Sequence, residues 1–207
     1  PSGATADILG SSARTVCLWA VIDSFDGDGG LFDYGSYAAL ENFALRVYGT
    51  DWAVKAQFWG TDPDVTLSGS NDGDWHHHCL TYDGSDWAYY FDGAQTATSS
   101  LTLNTGTDIP FRLGRWGSAD DGYFSGSIDE VYVYSSALDA ASIQVLYDAV
   151  TAAPTVTPLP THVSYSTLVL HVDFDGGAAA DDSGNGFDGT VNGGATTTTG
   201  RDGSDAL

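Results

Sequence analysis

The sequence predicts an all-β protein: an antiparallel β-sandwich with one short C-terminal helix. Three observations carry this. Short runs rich in β-branched and aromatic residues recur about every 8 to 12 residues, separated by Gly- and Asp-containing turns. Residues 74 to 94, DWHHHCLTYDGSDWAYYFDGA, read as a hairpin whose two strands flank the polar break Asp83-Gly84-Ser85-Asp86. A single stretch, near 139 to 149, has helical spacing.

Taken in order, residues 1 to 12 are small and polar, without periodicity. RTVCLWAVI (14–22) is an almost continuous apolar run, as expected of a central strand. Asp23 to Gly30 is an acidic loop. LFDYGSY, FALRVYG and VKAQFWG are short strands, followed by a polar connection from Thr61 to Asp74. In the hairpin Trp75, His77, Cys79 and Thr81 alternate with His76, His78, Leu80 and Tyr82, so each strand has two distinct faces. ATSSLTLN, FRLGRW and IDEVYVY supply the next strands. The helix, Asp139 to Ala149, places Ile143, Leu146, Tyr147 and Val150 on one stripe with Asp139 as its cap. TAAPTVTPLPTHVSYS (151–166) is a Thr/Pro-rich extended linker, a composition that also suits O-glycosylation.

Composition excludes several classes. Net charge is −22, with Lys55 and five arginines against 28 acids, so phosphate backbones and anionic lipid surfaces are repelled and nucleic acid is not an expected partner. The bland reading of this charge is a solvated acidic surface. No apolar run reaches the roughly 18 residues that span a bilayer, so direct membrane insertion is not expected. There is no methionine, and Pro1 is followed by neither a charged nor an apolar leader, which predicts a piece of a longer chain. The chain has no Asn-x-Ser/Thr sequon. The two cysteines, Cys17 and Cys79, both sit mid-strand, either as buried thiols or as a disulfide formed in an extracellular setting.

The hairpin's tryptophan, histidines, TYDG and YYFDGA, followed by FRLGR and YFSGSIDEVYVYSSALDAASIQVLY, resemble laminin-G-like domains of the concanavalin A-like lectin/glucanase and pentraxin-related jelly rolls. The resemblance covers roughly residues 13 to 149. A second match, LVLHVDFDGG with DDSGNGFDGTV, resembles how such a domain begins. The order is therefore rotated: a body over 1–150, a linker over 151–166, and opening strands over 167–207 that complete this sandwich or a neighbouring copy's. Unpaired sheet edges invite such pairing.

The resemblance implies more. The pentraxin branch joins cysteines at the positions matching Cys17 and Cys79. The family commonly holds structural Ca²⁺ near the positions of Asp129 and Asp181, with Asp175 and carbonyls near Gly176 completing the shell, since calcium takes six to eight oxygens. The competing reading is that Asp181 and Asn185 make an Asx-type turn. Hydrolases on this fold use a glutamate pair, which must stand about 5 to 9 Å apart; here Glu occurs only at 41 and 130, with no ExDxE run, so the chain is not expected to be an enzyme. Sugar-binding members stack aromatic rings on pyranoses, making Trp52, Trp59, Trp87 and Trp116, with Asp120 and Asp121 beside the last, the candidate ligand-binding residues. Trp19 and Trp75 are assigned to the core. The His76-His77-His78 triplet does not make a zinc site, because alternation splits it between faces. The expected function is a non-catalytic extracellular structural or adhesive module, associating with copies of itself by strand exchange. The alternative is a carbohydrate-binding module of a glycan-active enzyme.

Overall fold

The computed structural model of the chain describes residues 6–23, 28–48, 53–61, 72–117, 122–151, 165–174, 179–191, 195–196, 198–200 and 205–207. Its elements are β1 (Arg14–Ile22), β2 (Asp28–Gly35), β3 (Asn42–Tyr48), β4 (Ala53–Gln57), β5 (His76–Tyr82), β6 (Asp86–Phe91), β7 (Ala94–Ser100), β8 (Ile109–Leu113), β9 (Gly126–Tyr134), α1 (Ala140–Thr151), β10 (Leu168–Val172), β11 (Thr198–Thr199) and β12 (Asp205–Ala206). Six strands form one sheet in the order β10-β9-β1-β5-β6-β7, and four form the other in the order β4-β3-β2-β8. Every pairing is antiparallel. This is a concanavalin A-like β-sandwich.

Alternation decides what lies between the sheets. From the six-stranded sheet Val16, Leu18, Leu80, Tyr82, Trp87 and Tyr89 point inward, and Phe32, Tyr34, Phe43, Leu45 and Val54 meet them from the other. Burial of each such side chain contributes about 1.5 to 3 kcal/mol. A run of ring contacts links the layers: Phe32 to Phe43 at 5.9 Å, Phe43 to Phe58 at 5.9 Å, and Phe58 to Trp87 at 5.7 Å. Arg14, wholly buried, lies between the Phe43 and Tyr82 rings, 4.9 Å from each centroid. Its guanidinium donates to the Ile8 and Gly10 carbonyls, pinning the segment that precedes β1.

The hairpin forms as its spacing predicts. Asp83 Oδ1 accepts the Ser85 and Asp86 backbone N–H groups at 2.8 and 2.7 Å, closing the turn. On the outer face of the six-stranded sheet α1 covers a second cluster of Tyr90, Tyr132, Tyr134, Ile143 and Leu146 around Cys17 and Cys79. The two cysteines sit opposite each other in the β1–β5 register and are bonded. Asp139 caps the helix, accepting the Ser142 N–H at 2.8 Å. No helix among the described residues is long and apolar enough to cross a membrane.

The carboxyl segment lands on β9. Val169, Val172 and Phe174 enter the core, β10 pairs with residues 131–134, and Leu207 exchanges backbone hydrogen bonds with Ile128 at the other end of the same strand. In this single chain β10 and Leu207 thus lie against β9. Most of the 151–166 linker is outside the described residues. Trp75, expected in the core, is half-buried, because it precedes β5 rather than lying within it.

Candidate functional site

The outer face of the four-stranded sheet carries polar residues where the opposite parity is core. Asp33 on β2, Asn42 and Arg46 on β3, Gln57 at the end of β4 and Arg112 on β8 alternate with Phe32, Tyr34, Phe43, Leu45, Ala56 and Phe111. Asp33, Asn42, Arg46 and Gln57 are nevertheless buried, so something covers this face. The cover includes three half-buried aromatic rings, Tyr37, Trp59 and Trp116. Tyr37 stacks on Trp59 at 4.8 Å, and Trp116 lies 6.1 Å from Trp59 and 6.3 Å from Tyr37.

The two tryptophans are brought there by local backbone features. Trp59 adopts φ 57°, a left-handed conformation that bulky residues avoid and that costs about 1 to 3 kcal/mol. It is held by the Leu40 N–H, which is shared between the Phe58 and Trp59 carbonyls at 2.9 and 3.1 Å. Trp116 is carried by the β8–β9 connection, which lies flat across β2. A Cβ on Gly30 would come within 2.4 Å of the Arg115 carbonyl group, so glycine is required there. Gly122 O then accepts both the Gly30 and the Trp116 N–H.

Beneath the rings lies a charged network. Arg112 donates to Asp33 Oδ2 and to the Tyr37 hydroxyl, which itself donates to Asp33 Oδ2 at 2.7 Å. Asn42 Nδ2 donates to Asp33 Oδ1 at 2.8 Å. Burial, reinforced by the Asp33 carboxylate, pushes the Tyr37 phenol up to about 12, so it stays a donor. Burial works against the Arg112 charge, but Asp33 outweighs it and raises the guanidinium pKa. The Arg46 guanidinium lies 4.2 Å from the Trp116 ring centre, a cation–π contact. Asn42 Oδ1, Arg112 Nε and Trp116 Nε1 are buried with no hydrogen-bond partner among the described residues. Buried polar atoms left this way cost about 1 to 3 kcal/mol each, and they gather here beside a strained tryptophan.

Of the residues singled out in the sequence, Trp59 and Trp116 meet in this cluster. Trp87 does not. It is 4% exposed and packs on Phe58, because period-two alternation puts it on the face of Tyr89, which points inward; its candidacy as a sugar platform is corrected to a core role. Trp52, Asp120, Asp121 and Asp175 lie outside the described residues. Asp33, Arg112 and Tyr37 were not among the candidates. An acid inside the strand-like LFDYG and an arginine inside FRLGR were visible, but only the β2–β8 register sets them face to face.

The residues expected around calcium occupy the six-stranded sheet and the turn beside it. Asp129 is buried on β9, where its Oδ1 accepts the Glu130 N–H at 2.9 Å. Asp181 accepts backbone N–H groups from His171, Ser183 and Phe187 at 3.2, 2.9 and 3.0 Å. Burial opposes its charge, yet these hydrogen bonds outweigh it and hold the carboxyl below 3.8. Asn185 Nδ2 donates to the Leu168 and Val169 carbonyls, tying the turn to β10. Asp181 is thus engaged as the organiser of an Asx-type turn. Among the described residues, the one group of three metal-capable side chains is Cys17, His77 and Cys79, whose sulfurs are joined to each other. Glu130, at φ 50° in an irregular stretch of β9, accepts from Tyr132 at 2.6 Å and meets His171 Nε2 at 3.1 Å.

Solved structures share the fold. A protein from Bacteroides ovatus regarded as carbohydrate-binding superposes with a TM-score of 0.62 at 19% identity, over 100% of this chain and 53% of that one; the chain thus spans about half that protein's length. Domain 4 of an extracellular arabinanase from Geobacillus stearothermophilus, in complex with arabinotriose, gives 0.53 at 21% identity over 68% and 69% of the two chains. The CBM40 of Ruminococcus gnavus IT-sialidase, bound to α2,3-sialyllactose, gives 0.54 at 17% identity over 71% and 88%. No curated protein matches the sequence. The family match runs over residues 3–144, which takes in β1 to β9 and the connections that carry Tyr37, Trp59 and Trp116. The chain belongs to the concanavalin A-like lectin/glucanases superfamily.

Proposed function

We propose that the chain is a non-catalytic, extracellular carbohydrate-binding domain whose sugar platform is the Tyr37–Trp59–Trp116 cluster. The observation that carries this is Trp59, held in a left-handed conformation with its ring in an aromatic group at the surface. Strain of this kind persists where surrounding structure enforces it, and it concentrates at sites of function. Flat rings over a hydrogen-bonded carboxylate and guanidinium suit a pyranose, which offers an apolar C–H face and polar hydroxyls. The similar structures include glycan-bound domains, which supports the same reading.

Catalysis has less support. Glu130 on β9 is tied to Tyr132 of the same strand and to His171 on β10, and Glu41 precedes β3 in the other sheet. The adhesive, strand-exchanged reading has less support, because the similar structures include glycan-bound domains. A calcium ion near Asp129 and Asp181 remains part of the proposal only through Asp175 and its neighbours.

The test is a glycan array probed with the whole chain, followed by calorimetry on any saccharide retained. Binding that disappears in Trp59→Ala and Trp116→Ala, with melting curves close to wild type, supports the platform. Binding that survives both substitutions overturns it.

A further inference from the structure

At the rim where β5 begins, three pieces of chain meet on one histidine. His76 opens β5, the Asp92-Gly93 turn joins β6 to β7, and residues 72–74 lead into β5 from the connection before it. Asp92 and Gly93 both have positive φ, 47° and 78°, between the paired residues Phe91 and Ala94. A two-residue hairpin turn demands that conformation, and Asp-Gly is a sequence that adopts it. The turn fixes the Asp92 carboxylate against β5: its Oδ1 accepts the His77 N–H at 2.9 Å, and the Asp92 N–H donates to the His77 carbonyl at 2.9 Å. Oδ2 meets His76 Nδ1 at 2.8 Å. On the other side of the ring, Nε2 meets Asp72 Oδ1 at 3.1 Å, an oxygen that also accepts the Asp74 N–H at 2.9 Å. Phe91 stacks on the imidazole at 4.8 Å.

Both ring nitrogens thus face carboxylate oxygens, which only accept. A neutral imidazole has one N–H and one lone pair, so it serves one carboxylate and turns the lone pair on the other; the imidazolium donates to both. The titratable groups around the ring are Asp92 from the turn, Asp72 and its neighbour Asp74 from the connection, and His77 and His78 from its own strand. The two anchors are unequal. Asp92 is tied by backbone hydrogen bonds and its side chain is 29% exposed, whereas Asp72 is 47% exposed. Loss of one proton therefore leaves Nδ1–H on Asp92 and sets the Nε2 lone pair against Asp72.

We propose that His76 is a proton-operated clasp: protonated, it fastens Asp72, and residues 72–74 with it, to the β6–β7 turn; neutral, it keeps Asp92 and lets Asp72 go. Burial opposes the imidazolium, but the hydrogen bonds to Asp92 and Asp72 outweigh it and raise the pKa from its ordinary 6.5. The clasp is therefore fully closed below 6.5 and opens as pH rises through the raised value. One proton sets whether the entry to β5 is tied to the hairpin, whatever the aromatic rings bind.

The experiment is an NMR titration of the whole chain from about pH 5 to 9, reading the His76 ring nitrogens and the backbone amides of residues 72–74. Both ring nitrogens should carry protons at the acid end, the midpoint should lie above 6.5, and the 72–74 amides should follow the same curve. The His77 amide, held by Asp92, should move less. Asp72→Asn should lower the midpoint without disturbing the His77 amide. Asp92→Asn, which keeps a residue suited to the turn, should lower it as well. His76→Gln should remove the pH dependence of the 72–74 amides. A midpoint at or below 6.5, a midpoint unmoved by Asp72→Asn, or 72–74 amides that ignore the His76 titration would each overturn the clasp.

Discussion

Replacing Trp59 by glycine separates a functional ring from a structural one. The substitution relieves a left-handed backbone worth about 1 to 2 kcal/mol. It loses two ring contacts, to Tyr37 and Trp116, each worth about 0.5 to 1.5 kcal/mol beyond buried area. Glycine adds a chain-entropy cost of roughly 0.5 to 1 kcal/mol. The half-buried ring also gives up apolar burial worth about 1 to 1.5 kcal/mol, so Trp59→Gly should destabilise by about 2.5 kcal/mol. Trp87→Ala, in the core, should cost about 3 to 5 kcal/mol. Saccharide affinity should behave in the opposite way. Trp59→Gly should lose about 2 kcal/mol of binding, roughly 30-fold, as expected of an aromatic anchor. Urea denaturation and calorimetry on the same samples measure both quantities. A stability loss near that of Trp87→Ala, or undiminished binding, would refute the reasoning.

Further outcomes follow from the same geometry. The Cys17–Cys79 bridge encloses a separation of 62 residues, so the Cys17→Ala/Cys79→Ala variant should lose about 4 kcal/mol and melt roughly 8 to 16 °C lower; an unchanged melting point contradicts this. Burial, aided by the His77 and His76 charges, pushes His78 down to about 3, below its ordinary 6.5. Its neutral form therefore contributes stability that is complete above pH 6.5 and is lost as pH falls towards 3. His76 is shifted the other way: burial opposes its charge, but Asp92 and Asp72 outweigh it and raise the pKa, so its contribution is complete below 6.5 and lost above the raised value. An NMR titration should show His78 neutral at pH 5 and His76 still charged above pH 6.5; His78 titrating near 6.5 contradicts the first. Asp33→Asn should cost about 3 kcal/mol by leaving Arg112 half-buried without its carboxylate, and the double variant Asp33→Asn/Arg112→Gln should cost less than the sum of the single changes. Additive losses in a denaturation cycle contradict the pairing.

What the sequence disclosed and what it hid divide along physical lines. Period-two alternation set Cys79 and His77 against Leu80 and Tyr82, and the structure keeps those faces, one under α1 and one between the sheets. Alternation cannot say which face is inward, and for that reason Trp87 and Trp116 were indistinguishable as candidates until the sheets were packed. The Asp33–Arg112 pair was hidden for a different reason. The two residues are 79 positions apart, and only the non-local β2–β8 register joins them. Trp59 follows a short strand in a conformation that no propensity assigns to tryptophan. Motif order suggests a rotated chain, with opening strands last. The landing of Val169, Val172 and Phe174 in their own core required the full pairing of β9.

The account stands most directly on where a saccharide touches the protein. The six tryptophans give six indole N–H resonances, and a titration with a bound saccharide reports on each. The account predicts that the Trp59 and Trp116 resonances move together and saturably while those of Trp19 and Trp87 stay fixed. Movement confined to other tryptophans, with Trp59 and Trp116 unchanged at saturation, contradicts it.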